Sequence, residues 1–414
     1  MELKPGYVQT AVGVVPETWE VRSLGTLFSF SNGVNADKSA YGKGIRFVNV
    51  LEPITFSHIY GPEIPGRVDI PDSLAAAYSV KRGDVLFNRT SETDVELGLA
   101  AAYLGDERVA FGGFVIRGRP VDGSLDATYS GYALRAPIVR SQIIPMGQGA
   151  VRANISQESL KRVVAPVPSL LEQRAIAAAL SDVDALLGGL NRLIAKKHDI
   201  KQAAMQQLLT GQTRLPGFIG EWELKQLGTL AEIVSGGTPK TGEPLYWNGG
   251  IKWCTPTDIT GCPGKYLEET ERTISQLGLN NSGARLLPPG TLLLCSRATI
   301  GEIKIAQGEV STNQGFKSLI CRPGVSNEFI YYKALTMKQQ MLERSFGSTF
   351  LEISKVNVAA LEISIPAFAE QIAIAAVLSD MDAELAALEA RRDKTRALKE
   401  AMMRELLTGS TRLV

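Results

Sequence analysis

One long segment occurs twice in this sequence. Residues 172–184 (EQRAIAAALSDVD) return as 370–382 (EQIAIAAVLSDMD), at an offset of 198 positions. The same offset holds to the ends of both copies, where 208–215 (LLTGQTRL) matches 406–413 (LLTGSTRL). A long internal repeat constrains the architecture more than any local feature does. The sequence therefore predicts a protein of two similar halves.

Both copies have the pattern of a long helix. Each follows a proline (Pro168 or Pro366), consists mainly of good helix formers and closes at a glycine (Gly211 or Gly409). A helix over 172–209 would be about 57 Å long. Its apolar stripe needs a partner, and the favoured partner is the other copy in an antiparallel intramolecular coiled coil; the alternative is the core of a helical domain. The stripe has heptad spacing in both copies: Leu180, Val183, Leu187, Leu190, Ile194; and Leu378, Met381, Leu385, Leu388.

The remaining sequence predicts two α/β (α+β) domains that repeat one fold. Residues 44–47 correspond to residues 250–253, and residues 83–87 correspond to residues 290–294, with few identities between them. Residues 172–187 and 370–385 are identical at 12 of 16 positions while the domains differ, which suggests two sites that recognise different things. The expected segments are an N-terminal domain (1–168), a central helical region (169–215), a C-terminal domain (216–365) and a C-terminal helical region (366–414).

Composition excludes several classes of protein. No apolar run approaches the length of a membrane span and the N-terminus lacks a signal-peptide core, so we expect a cytoplasmic protein without a membrane partner. Two histidines and four cysteines without a Cys-x-x-Cys pair make a metal site unexpected. The net charge of +1 neither requires nor excludes a polyanionic partner.

The sequence contains no recognisable catalytic constellation. It has no Gly-x-x-x-x-Gly-Lys-Ser/Thr phosphate loop, and His58 and His198 lie far from any cysteine. The repeated Ser-Asp-x-Asp (181–184 and 379–382) places its aspartates two residues apart, on different sides of a helix. We interpret it as a polar face or a docking contact, and we expect a non-catalytic protein.

Polar residues recur at the ends of predicted strands and in nearby loops of both domains. Arginine pairs with guanine edges, asparagine and glutamine pair with adenine, and several of these side chains also bind phosphates. Residues 88–91 and 296–299 are interpreted as matching positions. The candidate DNA-binding residues are Lys43, Arg46, Asn88, Arg89, Thr90, Ser91, Lys252, Thr255, Thr257, Ser296, Arg297, Thr299, Thr312, Asn313, Gln314 and Lys317.

These features together resemble the DNA-specificity subunit of type I restriction-modification systems. The resemblance covers nearly the whole chain. The N-terminal domain departs from the pattern, because its Asn-Arg-Thr lacks a following Ile-Gly and no Thr-Asn-Gln precedes Phe114. The resemblance rests on Pro-x-x-x-Glu-Gln-x-x-Ile-Ala at 168–177 and 366–375, on Leu-Leu-Thr-Gly at 208–211 and 406–409, and on the loops 235–239, 296–301 and 312–316.

The resemblance implies two target-recognition domains, each reading half of a split site in double-stranded DNA. The paired helices would set the gap and dock two methylase subunits. Restriction subunits would complete the complex, and S-adenosylmethionine, ATP and Mg²⁺ would be bound by partner subunits, not by this chain. Alternatives are a two-module protein-binding scaffold, a specificity partner of another restriction architecture, or an enzyme. Candidate docking residues on solvent faces are Glu172, Gln173, Asp182, Glu370, Gln371 and Asp380.

Overall fold

The computed structural model describes residues 4–149, 152–347 and 351–413. It contains two compact units, the first formed by residues 1–191 with 390–414 and the second by 192–389. Each unit combines one globular domain with part of both long helices. The fold of each unit is described by itself below.

The first unit contains the N-terminal domain, in which short helices cover two mixed sheets. Its strands are β1 (Tyr7–Thr10), β2 (Gly13–Pro16), β3 (Glu20–Ser23), β4 (Phe28–Asn32), β5 (Tyr41–Val48), β6 (His58–Ile59), β7 (Arg67–Val68), β8 (Ser79–Val80), β9 (Val85–Asn88), β10 (Thr90–Ser91), β11 (Ala100–Tyr103), β12 (Val109–Phe111), β13 (Val115–Pro120), β14 (Ala153–Asn154) and β15 (Val164–Val167). Its helices are α1 (Leu24–Leu27), α2 (Leu51–Thr55), α3 (Asp72–Ala77), α4 (Ala127–Ala133), α5 (Pro137–Ile143) and α6 (Gln157–Arg162), and the chain then enters α7 (Leu170–Leu208).

The second unit contains the C-terminal domain, built in the same way. Its strands are β16 (Glu223–Gln226), β17 (Ala231–Ser235), β18 (Trp247–Cys254), β19 (Tyr266–Leu267), β20 (Arg272–Ile274), β21 (Leu292–Leu294), β22 (Ile303–Ala306), β23 (Ser311–Thr312), β24 (Lys317–Cys321) and β25 (Glu362–Ile365). Its helices are α8 (Leu227–Leu230), α9 (Pro256–Gly261), α10 (Gln276–Asn280), α11 (Asn327–Leu335), α12 (Lys338–Glu343) and α13 (Lys355–Ala359), before the chain enters α14 (Phe368–Leu406).

The main sheets of the two domains have the same strand order. In the N-terminal domain the order is β4-β13-β9-β11-β6, and in the C-terminal domain it is β17-β24-β21-β22-β19. In both, the outermost pair (β11 with β6, β22 with β19) is parallel and the others are antiparallel. β9 and β21 lie at the centre of the sheets and are fully buried, as their apolar runs predict. The prediction of two copies of one mixed fold is confirmed.

The two long helices form within about two residues of the predicted bounds, and each has 39 residues. In the first unit Lys399 Nζ lies 2.6 Å from Asp184 Oδ1, and in the second unit Lys197 Nζ lies 2.6 Å from Glu384 Oε1. Residue numbers rise along one helix as they fall along the other, so the helices pack antiparallel. The predicted antiparallel pairing is confirmed.

The apolar stripe rather than the ion pairs holds the helices. Leu180, Leu190 and Ile194 are buried in α7, and Leu378 and Leu385 are buried in α14. Burial of one leucine side chain contributes about 1.5–3 kcal/mol, whereas a surface ion pair contributes about 0–1 kcal/mol. The heptad pattern therefore identified the residues that matter most for the pairing.

Candidate nucleic-acid interface

Three loops of the C-terminal domain meet at one edge of its five-stranded sheet. Residues 235–239 follow β17, 296–301 follow β21, and 312–316 precede β24. β24 runs antiparallel to both neighbours, so the ends of β17 and β21 lie beside its start. These are the same loops that carried the family resemblance, and we call them the edge loops.

Backbone contacts hold the edge loops together. The Ser296 N–H donates to Gly315 O at 2.7 Å, and the Gly237 N–H donates to Thr312 O at 2.9 Å. A Cβ atom on Gly236 would lie 2.0 Å from Asn313 O, so this close approach requires glycine. The loops therefore form one fixed surface.

A charged cluster lies on this surface. Glu352 accepts hydrogen bonds from Arg297 Nε at 3.1 Å and from Arg297 Nη2, while Lys317 Nζ donates to its other oxygen at 3.1 Å. The hydrogen bonds from Arg297, more than those from Lys317, hold the pKa of Glu352 below its usual value. The three charges sum to +1, with Lys317 only 7% exposed. The Arg297 guanidinium is the exposed member of the cluster.

The remaining edge-loop candidates differ in accessibility. The Asn313 side chain accepts from the Gly315 N–H at 2.8 Å, and Gln314, which is exposed, accepts from Thr238. Thr312 is buried. The polar groups of Gln314 and Asn313 thus lie beside Arg297's loop, as the sequence suggested. Thr299 and Ser296 belong to the same loop, with Ser296 buried and Thr299 partly buried.

The other C-terminal candidates have structural partners. Thr255 follows β18 and forms a capping box with Asp258 at the start of α9, while Thr257 is exposed. Lys252 donates to Glu269 at 3.0 Å and to a backbone carbonyl. Lys252 is therefore occupied by internal contacts, whereas Thr255 precedes the helix next to the edge loops.

The N-terminal domain has the corresponding edge. The Arg89 N–H donates to Phe114 O at 2.9 Å, and Arg89 Nη1 donates to Gly113 O at 3.2 Å. Thr90 Oγ1 donates to Asn154 Oδ1 at 2.6 Å. Phe114 is 53% exposed at this edge, a large apolar group that the sequence analysis did not select.

The segments 88–91 and 296–299 lie at matching places, but their arginines differ by one position in backbone register. The Ile155 N–H donates to Arg89 O and the Ile353 N–H donates to Ser296 O, both at 3.0 Å, so Arg89 corresponds to Ser296. Arg297 corresponds to Thr90, because Thr90 pairs with Asn154 in the way that Arg297 pairs with Glu352. The two arginines therefore do not occupy equivalent positions.

The other N-terminal candidates differ in their burial and in their hydrogen bonds within the domain. Asn88 is fully buried, and Ser91 Oγ donates to Glu96 at 3.0 Å. Arg46 binds Glu107 and donates to a backbone carbonyl. Lys43 is exposed and lies 3.1 Å from Asp69. Of the six, Arg89 and Thr90 are the ones that the edge presents.

Sequence reasoning missed a β-bridge at each edge. Gln148 pairs with Asn154 and Phe346 pairs with Glu352, and these bridges supply Asn154 and Glu352 to the two edges. Gly149 and Gly347 have φ near +126° and +129°, which only glycine adopts easily. The repeat offset of 198 relates these glycines to each other, and this signal could have extended the repeat to the bridged residues.

Four of the six proposed docking residues do not lie on solvent faces, so that expectation is wrong. Glu172 and Gln173 are 1% and 0% exposed, and Glu370 and Gln371 are 2% and 3% exposed. Asp182 and Asp380 are exposed, and they remain candidates for docking.

The buried glutamates bind arginines that follow the opposite helix within the same unit. Glu172 accepts from Arg412 and from Trp19 Nε1 at 2.9 Å. Glu370 accepts from Arg214 Nε and Nη2, both at 2.6 Å. The repeated Glu and the repeated Thr-Arg-Leu thus form one structural clamp in each unit.

The buried glutamines fasten the domains to the same helices. Gln173 accepts from the Asp126 N–H at 2.8 Å, at the start of α4. Gln371 accepts from the Ser326 N–H at 2.9 Å, at the start of α11. Both glutamines are therefore structural residues.

The Ser-Asp-x-Asp repeat also has a structural role. Tyr132 OH donates to Asp184 at 2.8 Å, and Tyr332 OH donates to Asp382 at 2.6 Å. Each aspartate is also paired with a lysine of the other long helix. The motif therefore docks each globular domain onto its helices, which agrees with the docking interpretation.

No cluster of three metal-ligating side chains occurs among the residues that the structure describes. Burial raises the pKa of the Cys295 thiol to about 11 and that of Cys321 to about 12, so both are protonated and unreactive at neutral pH. Within the described ranges, none of the helices is long and apolar enough to cross a membrane.

Comparison with known proteins identifies the class of the fold. Residues 219–395 match the family described as Type I restriction modification DNA specificity domain. The S subunit of the type I restriction-modification system from M. genitalium shares the fold over 98% of both chains, with a TM-score of 0.59 and 17% identity.

Two relatives from Methanocaldococcus jannaschii extend the comparison. The type I restriction enzyme MjaIX specificity subunit is 38% identical over 164 residues, which cover 39% of this chain and 38% of that protein. The candidate MjaX specificity subunit is 26% identical over 424 residues, or 98% of this chain and 97% of that protein. This chain is therefore similar to type I restriction-modification specificity subunits over nearly its whole length, as the sequence resemblance indicated, and residues 219–395 match the DNA specificity domain of that family.

Proposed function

We propose that this chain is the DNA-reading subunit of a type I restriction-modification complex, and that each domain reads one half of a bipartite duplex site. The observation that carries the proposal is the same loop-bearing sheet edge in both domains, with different polar residues on it. Arginine, asparagine and glutamine side chains are the groups that distinguish base edges in the major groove. Two equivalent edges with different residues would recognise two different half-sites.

The long helices would set the gap between the half-sites and dock two methylase subunits. A helix of 39 residues is about 58 Å long, which exceeds one turn of duplex DNA, about 34–36 Å. Asp182 and Asp380 lie at equivalent, exposed positions on α7 and α14. A pair of equivalent docking surfaces would suit a pair of identical partners.

The chain itself would be non-catalytic and would act in the cytoplasm. Methylation with S-adenosylmethionine and cleavage driven by ATP with Mg²⁺ would take place in the methylase and restriction subunits. The near-neutral net charge fits a protein that binds DNA through two local surfaces rather than through a general basic field.

Methylome sequencing tests the proposal. The chain is expressed with its cognate methylase in a host that lacks other methylases, and modified bases are mapped. We expect a bipartite motif of two short half-sites separated by an undefined gap. A single undivided motif would contradict the two-domain reading, and no modification from a soluble, associated pair would favour the scaffold alternative.

A further inference from the structure

Three equivalent positions at the two edges hold different side chains. The equivalence follows from the backbone, since Lys317 pairs with Ser235 as Ile116 pairs with Asn32. In the same way, Arg297 pairs with Glu352 as Thr90 pairs with Asn154. One trio contains three charges and the other none. The trios are Arg297, Glu352 and Lys317 in the C-terminal domain, and Thr90, Asn154 and Ile116 in the N-terminal domain.

The geometry of the charged trio leaves part of the guanidinium available. A guanidinium has five N–H donors in a fixed plane. Glu352 accepts one from Nε and one from Nη2 of Arg297, through a single oxygen. Among the described residues no acceptor is recorded for Nη1 or for the second N–H of Nη2, which form the outer edge of the fork. Two parallel donors of this kind match O6 and N7 of guanine.

Two features fix the position of Arg297: the Lys317–Glu352 ion pair and the backbone conformation at Ala298. The buried Lys317 binds the other oxygen of Glu352 and fixes the carboxylate in place. Ala298, the residue after Arg297, has φ of 62°, a conformation that non-glycine residues seldom adopt. Such backbone strain persists where the surrounding structure imposes it, and it is typical of functional sites. The Arg297 side chain itself is 42% exposed, so its outer edge is accessible.

We propose that Glu352 is a positioning residue that orients Arg297 to read one guanine in the half-site of the C-terminal domain. The inference rests on the proposed DNA-reading function and names the base that one position recognises. The N-terminal domain presents Thr90 and Asn154 at the same place, and these uncharged groups can both donate and accept. In the half-site of the N-terminal domain, the base at the equivalent position is therefore read by uncharged side chains and not by an arginine.

A competing account makes different predictions for the same residues. If Arg297 bound only phosphate, a lysine would serve as well, because phosphate binding requires positive charge rather than a planar fork. If Glu352 only neutralised the arginine, its removal would strengthen binding to all sequences and increase the dependence on salt.

The test uses the full chain co-purified with its methylase and a pool of random-sequence duplex DNA. Bound DNA is selected and sequenced at two salt concentrations for the wild type, Glu352→Gln, Glu352→Asp and Arg297→Lys. Glu223→Gln is the matched control, because it removes one carboxylate from another ion pair of the same domain, with Lys225, which is outside the candidate DNA-binding set.

We expect Glu352→Gln to reduce the preference for one guanine in one half-site about tenfold, with the other half-site unchanged. Arg297→Lys should lose the same preference while keeping the salt dependence of the wild type. Glu352→Asp should restore part of the preference, and Glu223→Gln should select the wild-type motif.

Two results would overturn the inference while the wild type still selects a bipartite motif. One is an unchanged base preference in both Arg297→Lys and Glu352→Gln. The other is an equal loss in both half-sites, which would indicate a general effect on folding or phosphate binding. Failure of the wild type to select any motif would instead overturn the proposed function, and the inference with it.

Discussion

The two recognition domains share their strand order but not the chemistry of their exposed edges. The C-terminal edge carries Arg297 held by Glu352, where the N-terminal edge carries Thr90 bonded to Asn154. Beneath them, Lys317 corresponds to Ile116. Gly149 and Gly347, next to the bridged residues, are alike in position and conformation. The comparison shows that the backbone platform is repeated while the groups that would touch a ligand vary.

The helix ends show the opposite relation. Both clamps use a buried glutamate and an arginine, yet Trp19 Nε1 donates to Glu172 whereas Trp222 Nε1 has no hydrogen-bond partner among the described residues. The clamp is therefore nearly the same in both units but better satisfied in the first. This small asymmetry, and the large one at the edges, can each be tested separately.

The largest expected effect comes from lengthening the two long helices, which both halves of the molecule share. One added turn in both α7 and α14, four residues or about 6 Å, corresponds to about one to two base pairs of duplex. We expect the gap of the methylated motif to change by that amount, with both half-sites unchanged. The same four residues inserted at Gly123, where a side chain would meet nothing within 4 Å, serve as the control. An unchanged gap would refute the role of the helices as a spacer.

The next effect separates the two clamps. Arg214→Ala removes both hydrogen bonds recorded for the buried Glu370 carboxylate, and we expect the second unit to lose stability because that carboxylate is left buried without its cation. Arg412→Ala should destabilise the first unit less than Arg214→Ala destabilises the second. We expect a difference of about 1.5 kcal/mol or more, because Glu172 keeps the hydrogen bond from Trp19. Hydrogen exchange read separately in each unit measures both losses. Equal losses would show that the tryptophan bond does not matter.

The smallest effect is a difference in acid sensitivity between the Ile353 and Ile155 amides. Hydrogen bonds from Arg297 lower the pKa of Glu352 in the folded protein. A lowered carboxyl pKa contributes stability above the unfolded value, about 4.3, and this contribution is lost as the pH falls through the folded value. Protection of the Ile353 amide should therefore weaken below about pH 4.3, while the equivalent Ile155 amide, beside uncharged Asn154, should not respond. If the protection of both amides changed with pH in the same way, the stabilising role assigned to the Glu352 carboxylate would be contradicted.

Much of the fold was predictable because it depends on local patterns. The proline and glycine at the ends of each repeat and the heptad leucines placed α7 and α14 within about two residues. The apolar run at Val85–Phe87 similarly predicted β9. These signals are local in sequence, and packing reinforced them.

The site was less predictable because its contacts are distant in sequence. Glu172 looked solvent-exposed because the arginine that binds it, Arg412, is 240 residues away. The alignment of Gly83 with Gly290 places Arg89 opposite Ser296, so the two arginines lie one position apart although both segments follow the same strand. The backbone register gives the correspondence between the two edges, and side-chain similarity does not.

The central claim is that each domain reads its own half-site. It is tested most directly by comparing the methylomes of the wild type, Arg89→Ala and Arg297→Ala, each expressed with the cognate methylase. The account predicts that Arg89→Ala relaxes one half-site and Arg297→Ala the other, each by the equivalent of about 1–3 kcal/mol per base read. If either substitution altered both half-sites, or weakened methylation equally at all sequences, the claim would be contradicted.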